Sequence, residues 1–296
     1  MFLGPKIFTL ASTIPRRGIS TNAVSEKKSP RVIDTWYEIE KEQRNMSKVF
    51  IVTGASRGLG LAIAQALLRE SHKVFLVARS EDELRKLKTE HGDAVDYTSA
   101  DLSDLKVAPK VVASALKTFG KIDGLVVNHS TLSPIAKISE SDAEEWRRAF
   151  DINVFSAVAL VKESIPEIRK SHGRVIFVSS GASSNAYIGW GAYGTSKAAL
   201  DHLCAHLAVE EPSITAVTVS PGKVDTAMQK QIREEGHTGM SPDVHASFVA
   251  EHENGRLLKP EQPGTVIAKL AIGATNTLTG KHFRWNAAEL ANFQSK

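Results

Sequence analysis

The chain reads as an α/β protein with a parallel sheet covered by helices on both faces. Three observations predict this. Short apolar runs at 49–52, 73–79 and 174–180 are nearly continuous, as strands buried on both faces must be. Helical stretches separate them, so that strand and helix alternate along the sequence. The first strand runs straight into Gly54-Ala-Ser-Arg-Gly-Leu-Gly60, and a helix opens there. Strand, glycine turn and helix N-terminus make a phosphate-binding device, because N–H groups and the helix dipole converge on one point. The expected fold is a single-domain, Rossmann-like doubly wound parallel sheet.

Length and composition bound the alternatives. With 296 residues the chain can bury a full core. The single cysteine, Cys204, excludes an intrachain disulfide and fits a reducing compartment. It lies in an apolar helical run and reads as a packing residue. No run of about 20 apolar residues exists, so no membrane span is expected. Of the net charge of +4, residues 1–45 carry +3, from 8 Lys+Arg against 5 Asp+Glu. The rest of the chain is nearly neutral, which argues against a nucleic-acid footprint.

Residues 1–45 read as a disordered or targeting extension, and 46–296 as the dinucleotide-binding catalytic domain. Before Glu26 the extension has no acid, while Lys6, Arg16 and Arg17 sit among Ser and Thr. That composition suits a mitochondrial transit peptide. A tail, or an unused upstream start ahead of Met46, ranks slightly above import, so the expected location is cytoplasmic. A short helix at 33–41 is expected, with no function attached.

The elements then follow in order. Strand 49–52 leads into a helix from 58 to about 70, with Leu59, Ile63, Ala66 and Leu67 on its apolar side. Strand 73–79 follows. Ser80 is an N-cap hydroxyl, and Glu81, Asp82 and Glu83 suit the first turn of a helix to about 90. Strand 94–99 ends before Asp101. A helix at about 103–119 is weakened by Pro109. A fourth strand covers 121–128, and two helices at about 142–150 and 154–169 follow. Strand 174–180, a long helix at 191–210 and strand 214–219 come next. Residues 221–260 are polar and read as a loop or lid with short helices, its substrate part at about 222–260. A helix near 263–272 and a strand near 280–285 complete the domain.

Two chemistries compete for the glycine turn. One is a dinucleotide turn, in which Gly54, Gly58 and Gly60 let the backbone approach an anion. The other is a nucleophile elbow, since Gly54-Ala-Ser56-Arg-Gly58 fits G-x-S-x-G. An elbow needs several strands of the sheet before it, and none precedes Ser56. Gly60 has a role only in the dinucleotide turn. Ser56 is therefore expected as a phosphate contact.

A second constellation lies far along the chain. Tyr193 and Lys197 are four apart at the start of the long helix, hence on one face. A neighbouring ammonium favours the phenolate of a tyrosine, which otherwise ionises near pH ~10. Such a pair is acid–base machinery for a carbonyl/alcohol couple. Ser180 stands thirteen residues upstream at the carboxyl end of a strand, the edge where open α/β sheets place ligands.

From about Ser47 to its end the chain resembles the short-chain dehydrogenase/reductase family. The matching pieces are Thr53–Gly60, Asp101-Leu102, Asn128, Asn153, Ser180, Tyr193-x3-Lys197 and Pro221-Gly222 with Thr226. Residues 190–200 and 221–228 look most like the fungal benzil reductase and sepiapterin-reductase-like branch. The resemblance implies Tyr193 as proton donor and Lys197 as the cation that lowers its pKa and binds the nicotinamide ribose. It implies Ser180 as donor to the substrate carbonyl, and Asn153 as holder of a relay water to Lys197. The cofactor would meet Gly54, Ser56, Arg57, Gly58, Leu59, Gly60, Arg79, Asp101, Asn128, Pro221, Gly222, Val224 and Thr226 besides Tyr193 and Lys197. One departure stands out. The family's Asn-Asn-Ala-Gly is Val127-Asn128-His129-Ser130 here, and the bulkier His129 and Ser130 put the close backbone approach in question. His129 is expected on the groove wall or at the surface.

At the end of the second strand an acid would repel a 2′-phosphate, but Ala78-Arg79 stands there. Arg57 adds a second cation, so NADP(H) is the expected cofactor. Candidate pocket walls are Ala182, Tyr187, Ile188, Trp190, Met228 and Met240, an apolar and aromatic set that suits a hydrophobic or aromatic ketone, aldehyde or diketone. The expected activity is NADPH-dependent carbonyl reduction. A 3-oxoacyl thioester reductase is the alternative enzyme, and a non-catalytic NADP(H) sensor or partner-binding module the alternative class. A homodimer or homotetramer is expected, and no metal, since the ten histidines show no metal-ligand spacing.

Overall fold

The computed structural model describes residues 47–294. The expectations for residues 1–45, including the short helix at 33–41, lie outside the described residues. Among the described residues seven strands form one parallel sheet: β1 Val49–Thr53, β2 Lys73–Ala78, β3 Val95–Ser99, β4 Gly124–Val127, β5 Arg174–Val178, β6 Thr215–Ser220 and β7 Lys281–Arg284. Their order is β3-β2-β1-β4-β5-β6-β7, with every pairing parallel. The winding reverses between β1 and β4, and that switch opens a crevice at the carboxyl ends of the strands.

Both sheet faces are apolar because both are covered. Phe50, Val52 and Leu76 face helices α1 (Gly58–Arg69) and α9 (Glu261–Gly273), with Leu84 of α2 (Glu81–His91) in the same cluster. Ile51, Phe75 and Leu125 face α3 (Val107–Phe119), α5 (Ser156–Lys170) and α6 (Gly191–Glu210). Each such fully buried side chain stabilises the fold by about 1.5–3 kcal/mol. Cys204 is fully buried in the second cluster, and burial with the Asp201 charge pushes its thiol up to about 12, which keeps it unreactive. No helix among the described residues is long and apolar enough to cross a membrane.

Several boundaries differ from the sequence expectation. Helix α3 begins at Val107, not near 103, and Pro109 occupies its first turn, where a missing N–H costs nothing. The expected pair of helices at 142–150 and 154–169 is one rod. Helix α4 (Ala143–Phe150) continues into α5 through a π turn at Asp151–Phe155. The polar stretch at 221–260 is more helical than expected, with α7 (Ala227–Glu235) and α8 (Pro242–Glu253).

Candidate active site

The crevice is an open cleft of about 790 Å³ that spans the glycine turn, the ends of β4 and β5, the start of α6 and the segment after β6. Gly54 bonds from its N–H to the Val77 carbonyl at 2.8 Å and takes φ +65°, which L side chains rarely adopt. Gly60 leaves no room at all. A Cβ there would sit 2.2 Å from the Gly54 carbonyl oxygen and 2.5 Å from Asn128 Nδ2. The Asn128 amide donates to the Thr53 carbonyl at 3.0 Å, and its N–H to Thr53 Oγ1 at 2.9 Å, so β4 is locked to the turn. Helix α1 has no side-chain cap, whereas α4 is capped by Asp142 and α7 by Thr226. Its first N–H groups therefore face the cleft for an anion to take. Thr226 closes the other side, 3.2 Å from where a Cβ of Gly58 would lie. A cradle this tight fits a dinucleotide phosphate.

Every residue expected to touch cofactor lines this cleft, from Gly54, Ser56, Arg57, Gly58, Leu59 and Gly60 through Arg79, Asp101 and Asn128 to Pro221, Gly222, Val224 and Thr226. Arg57 and Arg79 are exposed at its rim. The Asp101 carboxyl accepts from the Ser103 N–H at 3.0 Å. The Ser103 N–H and hydroxyl hold it below the usual carboxylate range, and the Arg79 charge adds to this.

His129 lines the cleft but turns its ring into the fold, neither to the surface nor across the groove. Nδ1 lies 2.7 Å from Thr53 Oγ1 and Nε2 lies 2.7 Å from Ser156 Oγ. Ser156 Oγ also donates to the Ile152 carbonyl at 2.6 Å. The Ser156 proton is engaged at 2.6 Å and the Thr53 proton only at 3.2 Å, by the Val126 carbonyl, which favours a His129 ring that donates from Nε2 and accepts at Nδ1. Burial and the Lys197 charge push its imidazole down to about 3, and it stays neutral. The expected crowding does not arise: a Cβ on Gly54 would lie only 3.1 Å from His129 Cα, so the backbones still approach closely.

The second constellation gathers at the end of β5. Ser180 Oγ accepts from the Ala182 N–H at 3.1 Å, and its hydroxyl faces the Tyr193 phenol. Tyr193 is 7% exposed and Lys197 1% exposed. Lys197 Nζ donates to the Val178 carbonyl at 2.8 Å and lies 5.7 Å from the Tyr193 ring centre. Burial pushes the phenol up, with the Ser180 hydroxyl opposing. The lowering expected from Lys197 does not prevail: desolvation wins, and the tyrosine is held protonated, the form a proton donor needs. Burial also pushes the Lys197 ammonium down to about 8, against the Asp201 charge, which raises it.

Asn153 sits in the π turn, fully buried and behind the cleft wall. Its Oδ1 accepts from the Thr131 N–H at 2.8 Å, and Nδ2 donates to the Thr131 carbonyl and Ser196 Oγ, each at 2.9 Å. The amide is spent on holding the loop after β4 to the π turn.

The far end of the cleft is aromatic. Trp190 packs on Tyr187 at 5.0 Å, on Phe248 at 5.3 Å and edge-on to Tyr193 at 5.9 Å between ring centres. Ala182, Tyr187, Trp190 and Met228 line it as expected. Two candidates are corrected. Ile188 is 52% exposed outside the cleft, and Met240 packs behind the wall against Gly236. Leu132, Ile232 and Phe248 were not foreseen. Phe248 was hidden by a polar stretch whose helical period, once α8 is recognised, turns it inward.

The short chain dehydrogenase family model matches residues 48–237. An uncharacterized oxidoreductase of Saccharomyces cerevisiae is 43% identical over 252 residues, covering 84% of this chain and 99% of that protein. A benzil reductase ((S)-benzoin forming) of the same yeast is 41% identical over 262 residues, covering 84% of this chain and 100% of that one. A crystal structure of a short chain dehydrogenase/reductase from Saccharomyces cerevisiae superposes with a TM-score of 0.82 at 42% identity, covering 84% of this chain and 100% of that one.

Proposed function

The chain belongs to the short chain dehydrogenase family, on a benzil-reductase-like branch, and we propose that it is an NADPH-dependent reductase of hydrophobic or aromatic ketones, aldehydes and diketones. One observation carries this reading. A buried, protonated Tyr193 stands with Lys197 and Ser180 at one end of a cleft whose other end is an uncapped helix on a glycine turn.

The nicotinamide cofactor, when bound, supplies the hydride. The residues of this chain supply the rest. The glycine turn and the α1 N-terminus would hold the pyrophosphate, and Asn128, Asp101, Val224 and Thr226 the neighbouring parts of the cofactor. Arg57 and Arg79, exposed at the rim, suit a 2′-phosphate and favour NADPH over NADH. Ser180 donates its hydroxyl proton to the substrate oxygen and stabilises charge developing there. Tyr193 gives up its proton to that oxygen, and Lys197 stabilises the phenolate left behind. Asn153 would hold a relay water to Lys197, by a group other than its side-chain amide, which is committed to Thr131 and Ser196.

The wall of Tyr187, Trp190 and Phe248 takes an apolar or aromatic substituent beside the reacting carbonyl. We place the substrate segment at about 222–260, where α7 and α8 complete that wall. Exposed Phe155, Val158 and Val209 suit pairing between copies, so the active form is a homodimer or homotetramer. The proposed location is the cytoplasm, with mitochondrial import through residues 1–45 as the alternative.

The test is NADPH oxidation over a panel containing benzil, simple aryl ketones, aliphatic ketones and charged keto acids, with alcohol products identified. The proposal predicts turnover of the aromatic compounds and little or none of the keto acids. No carbonyl-dependent oxidation, or a preference for keto acids, would contradict it.

A further inference from the structure

Beneath the catalytic helix several elements meet at one carboxylate. Asp201 lies one turn after Lys197 on α6, so the two side chains share a helix face. Its Oδ2 lies 3.1 Å from Nδ1 of His282 on β7. Nε2 of His282 lies 2.7 Å from Ser220 Oγ at the end of β6. The carboxylate accepts from Nδ1–H, and Nε2 pairs with the Ser220 hydroxyl. Gly280 lets β7 approach α6 closely enough for this, since a Cβ there would come within 3.1 Å of Ala208 Cβ.

The same carboxylate faces the loop that presents Ser180. Burial pushes the Asp201 carboxyl up, but His282 and the hydroxyls of Ser179 and Ser183 outweigh it, and the group remains an anion at neutral pH. Those serines stand on either side of Ser180 in the sequence. Their hydroxyls and Asp201 Oδ1 are buried together, and none of these atoms has a well-formed hydrogen-bond partner.

The groups facing Lys197 and Asp201 sort simply by charge. Tyr193, on α6, is held protonated. His129, after β4, is neutral at about 3, and Cys204, on α6, is neutral up to about 12. His282, on β7, donates to Asp201 from Nδ1. Asp201 is therefore the negative charge that acts on Lys197.

We propose that Asp201, one helical turn beyond Lys197 and anchored by His282 and Ser220, is a positioning residue for carbonyl reduction. The inference rests on the reading of Tyr193, Lys197 and Ser180 as the reacting machinery.

The experiment is the pH profile of kcat/KM for NADPH-dependent ketone reduction by wild type, Asp201→Asn, Asp201→Glu and His282→Gln. Reduction needs a protonated donor pair, so activity falls as pH rises through the pKa of that pair. Loss of the anion lets the Lys197 value drop below about 8, and the falling limb moves to lower pH. The expected shift for Asp201→Asn is about 0.5–1 pH unit downward, with kcat at pH 7 down about tenfold. His282→Gln shifts the limb the same way by less, and Asp201→Glu restores it. NADPH affinity within about threefold of wild type shows that the variants are folded. An unshifted limb in folded Asp201→Asn overturns the inference even if kcat falls. If that variant does not fold, an unshifted limb in His282→Gln overturns it. A wild type that reduces no carbonyl overturns the underlying reading as well, so the two failures are told apart.

Discussion

Tyr193 and Lys197 are shifted in opposite directions by the same cause. Burial favours the neutral form of each, raising the phenol and lowering the ammonium. A tyrosine held protonated is ready to donate, which suits reduction of a carbonyl. Cofactor choice is also decided by single residues. Arg79 follows β2, where an acid would accept the ribose hydroxyls, and its charge also reaches Asp101. Charge-assisted contacts of this kind contribute about 1.5–3 kcal/mol, or roughly 10- to 100-fold. Arg79→Asp is therefore expected to lower kcat/KM with NADPH relative to NADH by about that factor. Steady-state kinetics with both cofactors measures it, and an unchanged ratio would remove Arg79 from the 2′-phosphate site.

At the scale of elements the site depends on two turns. The glycine turn is tight because Gly60 packs on the Gly54 carbonyl and the Asn128 amide. Gly60→Ala must push the turn apart or displace Asn128, since its Cβ would lie 2.2 Å from an oxygen. The expected result is NADPH affinity weakened at least about tenfold, read by cofactor fluorescence titration. Affinity within twofold of wild type would show that the turn is not the phosphate cradle. This turn was legible in the sequence because glycine spacing encodes close approach directly. The π turn was not. Its extra residue is held by Asn153 bonds to Thr131, a partner 22 positions away, and no local pattern announces that contact. His129 shows the same limit. Its bulk was visible beside Asn128, but the direction of its ring follows from Thr53 and Ser156, which the sequence does not place beside it.

For the whole molecule, continuous apolar strands and their alternation with helices implied a parallel doubly wound sheet, and the sheet observed has that form. The carboxyl ends of its strands bring residues from Gly54 to Thr226 into one cleft. Most motif residues could be located there because they lie at or just after a strand end or near the start of a helix, while Asn153, in the π turn, lies behind the wall. The aromatic wall was only partly legible: Tyr187, Trp190 and Met228 lie near the motifs, while Phe248 comes from α8 in a stretch without an apolar run. The Asp201–His282 contact joins residues 81 apart in sequence and depends on β7 pairing with β6, so only the assembled sheet displays it.

The account as a whole stands on proton transfer by Tyr193. Its most direct test is Tyr193→Phe assayed for NADPH oxidation with the best ketone of the panel, alongside NADPH binding. The predicted result is a kcat lowered about 10²–10⁴-fold, with cofactor affinity within about twofold of wild type. Turnover within tenfold of wild type would show that Tyr193 does not donate the proton, and would contradict the account.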